Sequence, residues 1–432
     1  MKTKEFEGKR LLYLGGISRA KFVVQRAREL GAYVIVADYN VDSPAKVVAD
    51  EGVLVDAMDV DAIISLCLRK SVDGIMTGYC DILLPICKEV ASRIGMPCYY
   101  TDDMLKFTMD KSYFKIVCAR YNVPCPKSFK IDKTNLERAA EVLNYPLFIK
   151  PIDASGSRGA NACYNKDEFV EKYNIALSCS PKGRVSVEEC LNGTAFILDY
   201  IVRDGEARLL SMADCYVRPG RPSAINSPDL MILPSKELKR YYSVVDSNVK
   251  DLFRGEQFTN GLFFFQGYAN ESNITFFESG CRLGGTWPYI DEYYNKINPM
   301  DMLFRHALTG NMSSQSDFNK IHAEYGGMAA IIYFLSKDCE GEIAQVEGVE
   351  DVKNYEWVVH LMQYYFPGDK FDSLRQTDVR FLAVHLVAKN FDELKYRIRR
   401  VYSMIKYYDK NGANLLAPAY SVECLSGYDD IH

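Results

Sequence analysis

The sequence predicts a mixed α/β and α+β chain in three units, a parallel-sheet unit followed by two units of antiparallel character, and three observations carry that reading. Residues 10 to about 100 alternate short β-rich runs with amphipathic helical stretches, the βαβ pattern of a parallel sheet. From Thr101 the runs change, and two of them, Gly261 to Tyr268 and Ile274 to Gly280, flank a polar turn like the arms of a hairpin. A polar connector, Asn311 to Lys320, then precedes a last group of strands and one helix. With 432 residues the chain has room for roughly three domains of ordinary size, each with its own core. The expected bounds are 1–103, 104–310 and 321–432.

In the first unit, Leu11 to Leu14 runs into a Gly15-Gly16 turn, a helix through Leu30 and the strand Tyr33 to Asp38; Gly74 to Gly78 leads into another helix. The turn and the acid that follows invite a dinucleotide reading. Gly15-Gly16-Ile17-Ser18-Arg19-Ala20 lacks the G-x-G-x-x-G spacing, however, which argues against NAD. In the second unit, two glycine-rich or proline-rich loops, 153–160 and 217–234, have the length and composition of segments that bind something. In the third, Met328 to Leu335 and Val379 to Val387 read as strands and Asp392 to Lys406 as a helix.

Composition narrows the function classes. A net charge of -5 with scattered Lys and Arg offers no basic face for nucleic acid or an anionic membrane. No apolar run approaches the ~18 residues of a membrane span, and Leu11 to Leu14 is too short for a signal-peptide core. The expectation is a soluble, cytoplasmic chain. Its thirteen cysteines are dispersed, form no C-x-x-C and sit mostly in apolar segments, so they read as reduced, buried hydrophobes. The five histidines show no zinc spacing. Any metal should be a hard cation on oxygen ligands.

Four elements could together build a nucleotide-phosphate site, although each alone has a plainer reading. Met109-Asp110-Lys111 opens a helix; a lysine there is ordinarily solvated but can reach a phosphate. Tyr145 to Lys150 is a β-rich run ending in a cation, followed by Asp153-Ala154-Ser155-Gly156-Ser157-Arg158-Gly159-Ala160. Glycines let the backbone N–H groups approach an anion, and Lys150, expected at a cleft edge rather than in a core, adds a point charge. Val187-Glu188-Glu189-Cys190-Leu191 can offer backbone groups and a carboxylate to an adenine base, or can simply expose its acids. The hairpin is the most informative. With a three-residue loop, Glu271 to Asn273, residue 270 pairs with 274 and Gln266 falls opposite Glu278, with Cβ atoms about 4.5–5.5 Å apart; a two-residue loop would separate them. Two oxygen-bearing side chains among aromatic strands suit a shared hard cation, or a plain hydrogen-bonded pair. Arg282-Leu283-Gly284-Gly285 places a guanidinium just beyond, able to bind a carboxylate or a phosphoryl group.

In this order the elements resemble the ATP-grasp superfamily, chiefly its carboxylate-amine ligase, biotin-carboxylase-like and carbamoyl-phosphate-synthase large-chain-like branch, from Gly15-Gly16 to about Gly412-Ala413-Asn414. The resemblance implies a pre-ATP-grasp αβ domain, a two-lobed ATP-grasp domain and a C-terminal α+β lid. It implies ATP and Mg²⁺, or Mn²⁺, as cofactors. Lys111 and Lys150 would contact phosphates, Ser155, Gly156, Ser157, Gly159 and Ala160 would form the phosphate loop, and Glu188, Glu189 and Leu191 would hold adenine. Gln266 and Glu278 match the paired metal ligands. Two departures stand out: Ala195 occupies the position of a ribose-binding acid, and Gly280 that of an asparagine that serves a second metal.

The implied chemistry is ATP-dependent activation of a carboxylate as an acyl phosphate, with ADP released, and its capture by an amine or similar nucleophile. Arg282 is expected to orient the carboxylate, with Arg218 as a second anion contact. Rival readings are a carboxyphosphate-forming component, as in biotin carboxylases or carbamoyl-phosphate synthases, and a non-catalytic ATP-binding sensor. The expected partners are small molecules, with neither nucleic acid nor membrane. A homodimer is compatible with the Tyr-rich segments 289–294 and 402–408, which suit an interface as well as a core.

Overall fold

The computed structural model describes residues 4–153, 158–218, 228–284, 287–373 and 379–428. The first unit runs β1 (Arg10–Leu14), α1 (Ala20–Glu29), β2 (Tyr33–Asp38), β3 (Glu51–Leu54), α2 (Val60–Lys70), β4 (Gly74–Met76) and α3 (Leu84–Ile94). Its sheet has the order β3-β2-β1-β4, with parallel pairing throughout. Ala20, Val23, Val24 and Ala27 form the buried stripe of α1, the spacing of an amphipathic helix on a sheet. At the Gly15-Gly16 turn the Gly16 N–H donates to the Asp38 carboxylate at 2.7 Å, and a Cβ on Gly16 would sit 1.7 Å from Ser43 Oγ. The acid that resembled a ribose ligand therefore holds its own turn.

Next come α4 (Asp102–Met109), α5 (Lys111–Arg120), β5 (Ser128–Phe129), α6 (Leu136–Val142), β6 (Leu147–Pro151), β7 (Asn161–Cys163), α7 (Lys166–Ser178) and β8 (Val185–Glu189). The four strands make a small antiparallel sheet, β5-β8-β6-β7. It has a core of its own, with Leu147, Ile149 and Val187 packed on Ala140 and Phe169 of the two helices.

The rest of the chain supplies β9 (Thr194–Arg203), β10 (Glu206–Tyr216), β11 (Leu230–Leu233), α8 (Leu238–Val244), α9 (Asp246–Gly255), β12 (Gly261–Ala269), β13 (Ile274–Gly280), α10 (Pro288–Asn295) and α11 (Pro299–Thr309). After these come β14 (Met328–Leu335), β15 (Val358–Gln363), β16 (Arg380–Ala388) and α12 (Phe391–Met404). Eight strands join in one sheet, β13-β12-β9-β10-β11-β14-β16-β15. The strands expected to form a separate third unit thus extend the sheet of the second, because β11 pairs antiparallel with β14, Leu230 opposite Ile332 and Leu233 opposite Ala329. The sequence of β14, Met-Ala-Ala-Ile-Ile-Tyr-Phe-Leu, is buried at every position, and a strand apolar on both faces is a poor edge. Helix α11 closes the first unit: a Cβ on Gly74 would lie 2.1 Å from the Ala307 carbonyl oxygen, so only glycine lets the helix approach β4 so closely.

All thirteen cysteines are free thiols, most of them buried or half-buried, as expected. Among the described residues no helix is long and apolar enough to cross a membrane.

At the centre of the large sheet, Asp199 on β9 is 4% exposed and its Oδ1 has no hydrogen-bond partner. Burial pushes its carboxyl up to about 8, with Trp287 and Arg282 opposing only in part. Asp291 is raised too, by burial first and by Asp199, although the Tyr325 hydroxyl donates to it at 2.5 Å. A carboxyl with a raised folded-state pKa contributes stability below its unfolded value, about 4, and loses it as pH rises to about 8. The melting temperature should therefore fall from pH 5 to pH 8, and Asp199→Asn should flatten that slope. An unchanged slope in the variant would show that Asp199 is not protonated in the folded state.

Candidate functional site

The β12–β13 hairpin brings Gln266 and Glu278 opposite one another, as expected, by a different route. The ladder starts with Ala269 opposite Ile274, leaving a four-residue turn, Asn270 to Asn273, and continues with Gly267 opposite Phe276. Run straight, that register would set Gln266 against Phe277. A β-bulge inserts Phe277 as an extra residue and restores Glu278 to the position across from Gln266. Paired residues of antiparallel strands point to the same face, so an amide oxygen and a carboxylate share it, Gln266 6% exposed and Glu278 half-buried. The turn is held by Asn270, whose side-chain oxygen accepts from the Ser272 and Asn273 N–H groups.

Two ladder positions farther along this edge, Phe264 lies opposite Gly280. A Cβ on residue 280 would fall 2.2 Å from Phe264 Cε1 and 2.4 Å from Cζ. The aromatic ring therefore fills the space an asparagine side chain would need, which gives the missing asparagine a steric cause. The Arg282 guanidinium stacks on the same ring, 5.0 Å from its centroid. It is also gripped by Asp81 of the first unit, Nε to Oδ1 at 2.6 Å and Nη2 to Oδ2 at 2.7 Å. Burial opposes the charge but Asp81 outweighs it, so the guanidinium is held above its ordinary value.

On the small sheet Lys150 is 5% exposed, not at an open cleft edge as expected. It pairs with Glu188, itself 2% exposed, at 3.1 Å. Lys115 reaches the other carboxylate oxygen at 2.8 Å, and the Ser186 hydroxyl donates to it at 2.7 Å. Burial raises the Glu188 carboxyl, yet the two ammonium groups prevail and hold it below the usual range; burial pulls Lys115 below its ordinary value. Sequence reasoning missed Lys115. Its signal was present, because Lys115 lies four residues after Lys111 and so on the same helix face. Lys111 itself is half-buried in the first turn of α5, where the Asp110 carboxylate caps the Ser112 and Tyr113 N–H groups. A cation in that turn opposes the helix dipole, so it does not serve the helix.

The remaining expected residues are distributed around these two clusters. The Glu189 carboxylate turns to the Lys127 N–H at 2.9 Å, and Leu191 is half-buried just beyond β8. Gly159 has φ +70 and packs against Cys179, beside the half-buried Ala160. Ser155, Gly156 and Ser157 lie outside the described residues. Arg218 pairs with Asp229 through its backbone N–H at 2.9 Å and its guanidinium. It borders a cavity of about 260 Å³ beside β14 and α12. The small and large sheets meet where Lys150 Nζ comes 5.7 Å from the ring centroid of the bulged Phe277.

Gly280→Asn should destabilise the protein by roughly 1–3 kcal/mol through overpacking, and in the background of Phe264→Ala the penalty should largely vanish. Denaturant unfolding of the four members of this cycle measures the coupling. Equal penalties in both backgrounds would separate the glycine from the ring.

Residues 110–225 match the family described as carbamoyl-phosphate synthase L chain, ATP binding domain. The chain is 24% identical over 209 residues to a formate-dependent phosphoribosylglycinamide formyltransferase of Prochlorococcus marinus (strain NATL1A), a match covering 48% of this chain and 54% of that protein. It thus spans about half the length of that relative. Among solved structures it superposes on an L-amino acid ligase from Bacillus licheniformis with a TM-score of 0.75 at 16% identity, covering 94% of this chain and 100% of the other. A biotin carboxylase from Campylobacter jejuni, solved as a β-γ-ATP complex, gives 0.74 at 14% identity over 94% and 92%. Identities this low speak for the fold alone. The chain therefore shares the fold of these solved structures, and its residues 110–225 are similar to the ATP binding domain of the carbamoyl-phosphate synthase L chain.

Proposed function

We propose that the chain is an ATP-dependent ligase that activates a substrate carboxylate as an acyl phosphate, releases ADP, and joins the acyl group to an amine or similar nucleophile. The observation that carries this reading is the meeting of Lys150 with Phe277. It sets a buried cluster of two lysines and an acid beside a Gln–Glu pair of hard oxygen donors. Phosphoryl transfer asks a protein mainly for position and charge neutralisation. In this reading Lys111 and Lys150 bind phosphate oxygens, and residues 155–160 serve as the phosphate loop. Glu188 and the Leu191 backbone face adenine, and ribose has no assigned partner.

Among the described residues no group of three His, Cys, Asp or Glu could cage a metal. A pair made of one carboxylate and one amide oxygen fits Mg²⁺ or Mn²⁺, which keep most of their shell for phosphate and water. Gln266 and Glu278 would hold the ion, which when bound supplies charge neutralisation at the phosphate oxygens. The carboxylate oxygen attacks the γ-phosphorus as the bond to the ADP oxygen breaks. The nucleophile then adds to the acyl carbon, gives up its proton and displaces phosphate. No covalent protein intermediate is needed.

The test is Mg²⁺-dependent ADP release with pooled carboxylic acids and amines, and separately with bicarbonate. Stimulation only when both a carboxylate and an amine are present is expected. Stimulation by bicarbonate alone would move the assignment to carboxyphosphate formation, and bound ATP with no release to a sensor. Glu278→Gln should lower turnover by about tenfold or more while changing ATP affinity far less; full activity would place the metal elsewhere. Lys150→Ala should weaken ATP binding about tenfold. It should also cost roughly 1–3 kcal/mol of stability by stripping Glu188 of a partner, a loss that Glu188→Gln in the same chain should relieve. Calorimetric ATP titration and thermal melts separate the two effects, and unchanged ATP affinity would remove Lys150 from the site.

A further inference from the structure

A cavity of about 320 Å³ lies at the C-terminal ends of β1 to β4, and no step of the proposed chemistry uses it. It is lined by Gly15 to Ile17 after β1 and by Thr77, Tyr79 and Cys80 after β4. In the sheet order β3-β2-β1-β4 the winding of the chain reverses between β1 and β4, and the crevice at such a point is where α/β sheets hold ligands. The Gly15-Gly16 turn lacks the spacing for a dinucleotide, so the side chains around the cavity decide what fits.

Its charge is one-sided. Asp38 and Asp56 line it, and among the described residues no lysine, arginine or histidine does. The two Asp38 oxygens accept backbone N–H groups, from Gly16 and from Asn40, each at 2.7 Å. Asp56 accepts the Met58 N–H at 2.9 Å through one oxygen only. Neither carboxylate is ion-paired among the described residues; the nearby Lys46 ammonium goes instead to the Asp38 and Asn40 carbonyl oxygens at 2.8 and 2.7 Å. Thr77, 2% exposed, also lines the cavity, and its Oγ1 has no hydrogen-bond partner, a costly state that a ligand relieves. Around these polar groups stand the Tyr79 ring and an exposed apolar rim of Ile17, Tyr39, Met58 and Ile82. Uncompensated carboxylates repel a phosphate or a carboxylate, whereas carboxylates, hydroxyl oxygens and aromatic rings together suit an alkylammonium. The rim suits its hydrocarbon part. Arg19 and Arg282, which act electrostatically on Tyr79, are outside the lining, and Arg282 is already neutralised by Asp81.

We propose that this cavity binds a small organic ammonium ion with an apolar body, a primary amine on a short hydrocarbon chain. Asp38, Asp56 and the Thr77 hydroxyl hold the ammonium group, and the rim covers the hydrocarbon. In a ligase such an ion is the source of the amine nucleophile; that use rests on the ligase reading, whereas the site itself does not.

The test titrates n-butylamine calorimetrically into the full chain without nucleotide at about pH 7.5, far below the ~10.4 at which an alkylammonium loses its proton. n-Butanol and butyrate, similar in shape but neutral and anionic, are titrated separately. Butylamine should bind at least about tenfold more tightly than either. Asp56→Asn, at an exposed position outside the strands, and Thr77→Val, which removes only the hydroxyl, should each weaken butylamine binding about fivefold. Glu278→Gln should bind it as the parent does. No butylamine binding at millimolar concentration would overturn the proposal, and so would equal affinity for butanol, which would reduce the cavity to an apolar pocket. Binding lost in Glu278→Gln but kept in the Asp56 and Thr77 variants would overturn it too, by placing the ammonium at the Gln266–Glu278 pair. Absence of ADP release with every amine would instead overturn the ligase reading and leave these titrations standing.

Discussion

One inserted residue sets the geometry of the candidate site. The ladder between β12 and β13 starts one step out of the register that faces Gln266 with Glu278, and the bulge at Phe277 corrects it. Because side chains alternate across a strand, a one-residue slip exchanges every inward and outward group. The bulge thus decides whether two oxygen donors share a face, and it also sends Phe277 toward Lys150 on the other sheet. The crowding of Phe264 against Gly280 follows from the same register. The facing of Gln266 and Glu278, the crowding at Gly280 and the contact between sheets all descend from one backbone irregularity.

Charge is the second organising theme, because ionisable groups in low dielectric need partners. Glu188 has two ammonium groups and Arg282 a bidentate carboxylate, while burial pushes the Asp199 carboxyl upward.

Much of this was legible in the sequence, and the misses have physical reasons. Alternating β-rich runs and helices disclosed the parallel sheet, and polar residues at Asn270 to Asn273 disclosed the hairpin. The pairing of Gln266 with Glu278 was anticipated with a loop one residue too short, because bulges leave little local trace. That same register already set Phe264 opposite Gly280, so the cause of the missing asparagine could have been read from the sequence. The union of the last strands with the large sheet was not readable: β14 is apolar on both faces, which says that it is central but not to which sheet.

The separateness of the small sheet has a mechanical consequence. Among the described residues its strands form ladders only with one another and enclose their own core, whereas the large sheet is one continuous slab from β13 to β15. Rotating the small sheet as a rigid jaw breaks no strand pairing, while bending the slab would break many. Helix α5 is packed with the slab, its Phe114 and Val117 sharing a core with Phe265 and Phe276. The bond from Lys115 on that helix to Glu188 on the small sheet therefore ties the two sheets together. Any rotation of the small sheet relative to α5 would have to stretch that bond.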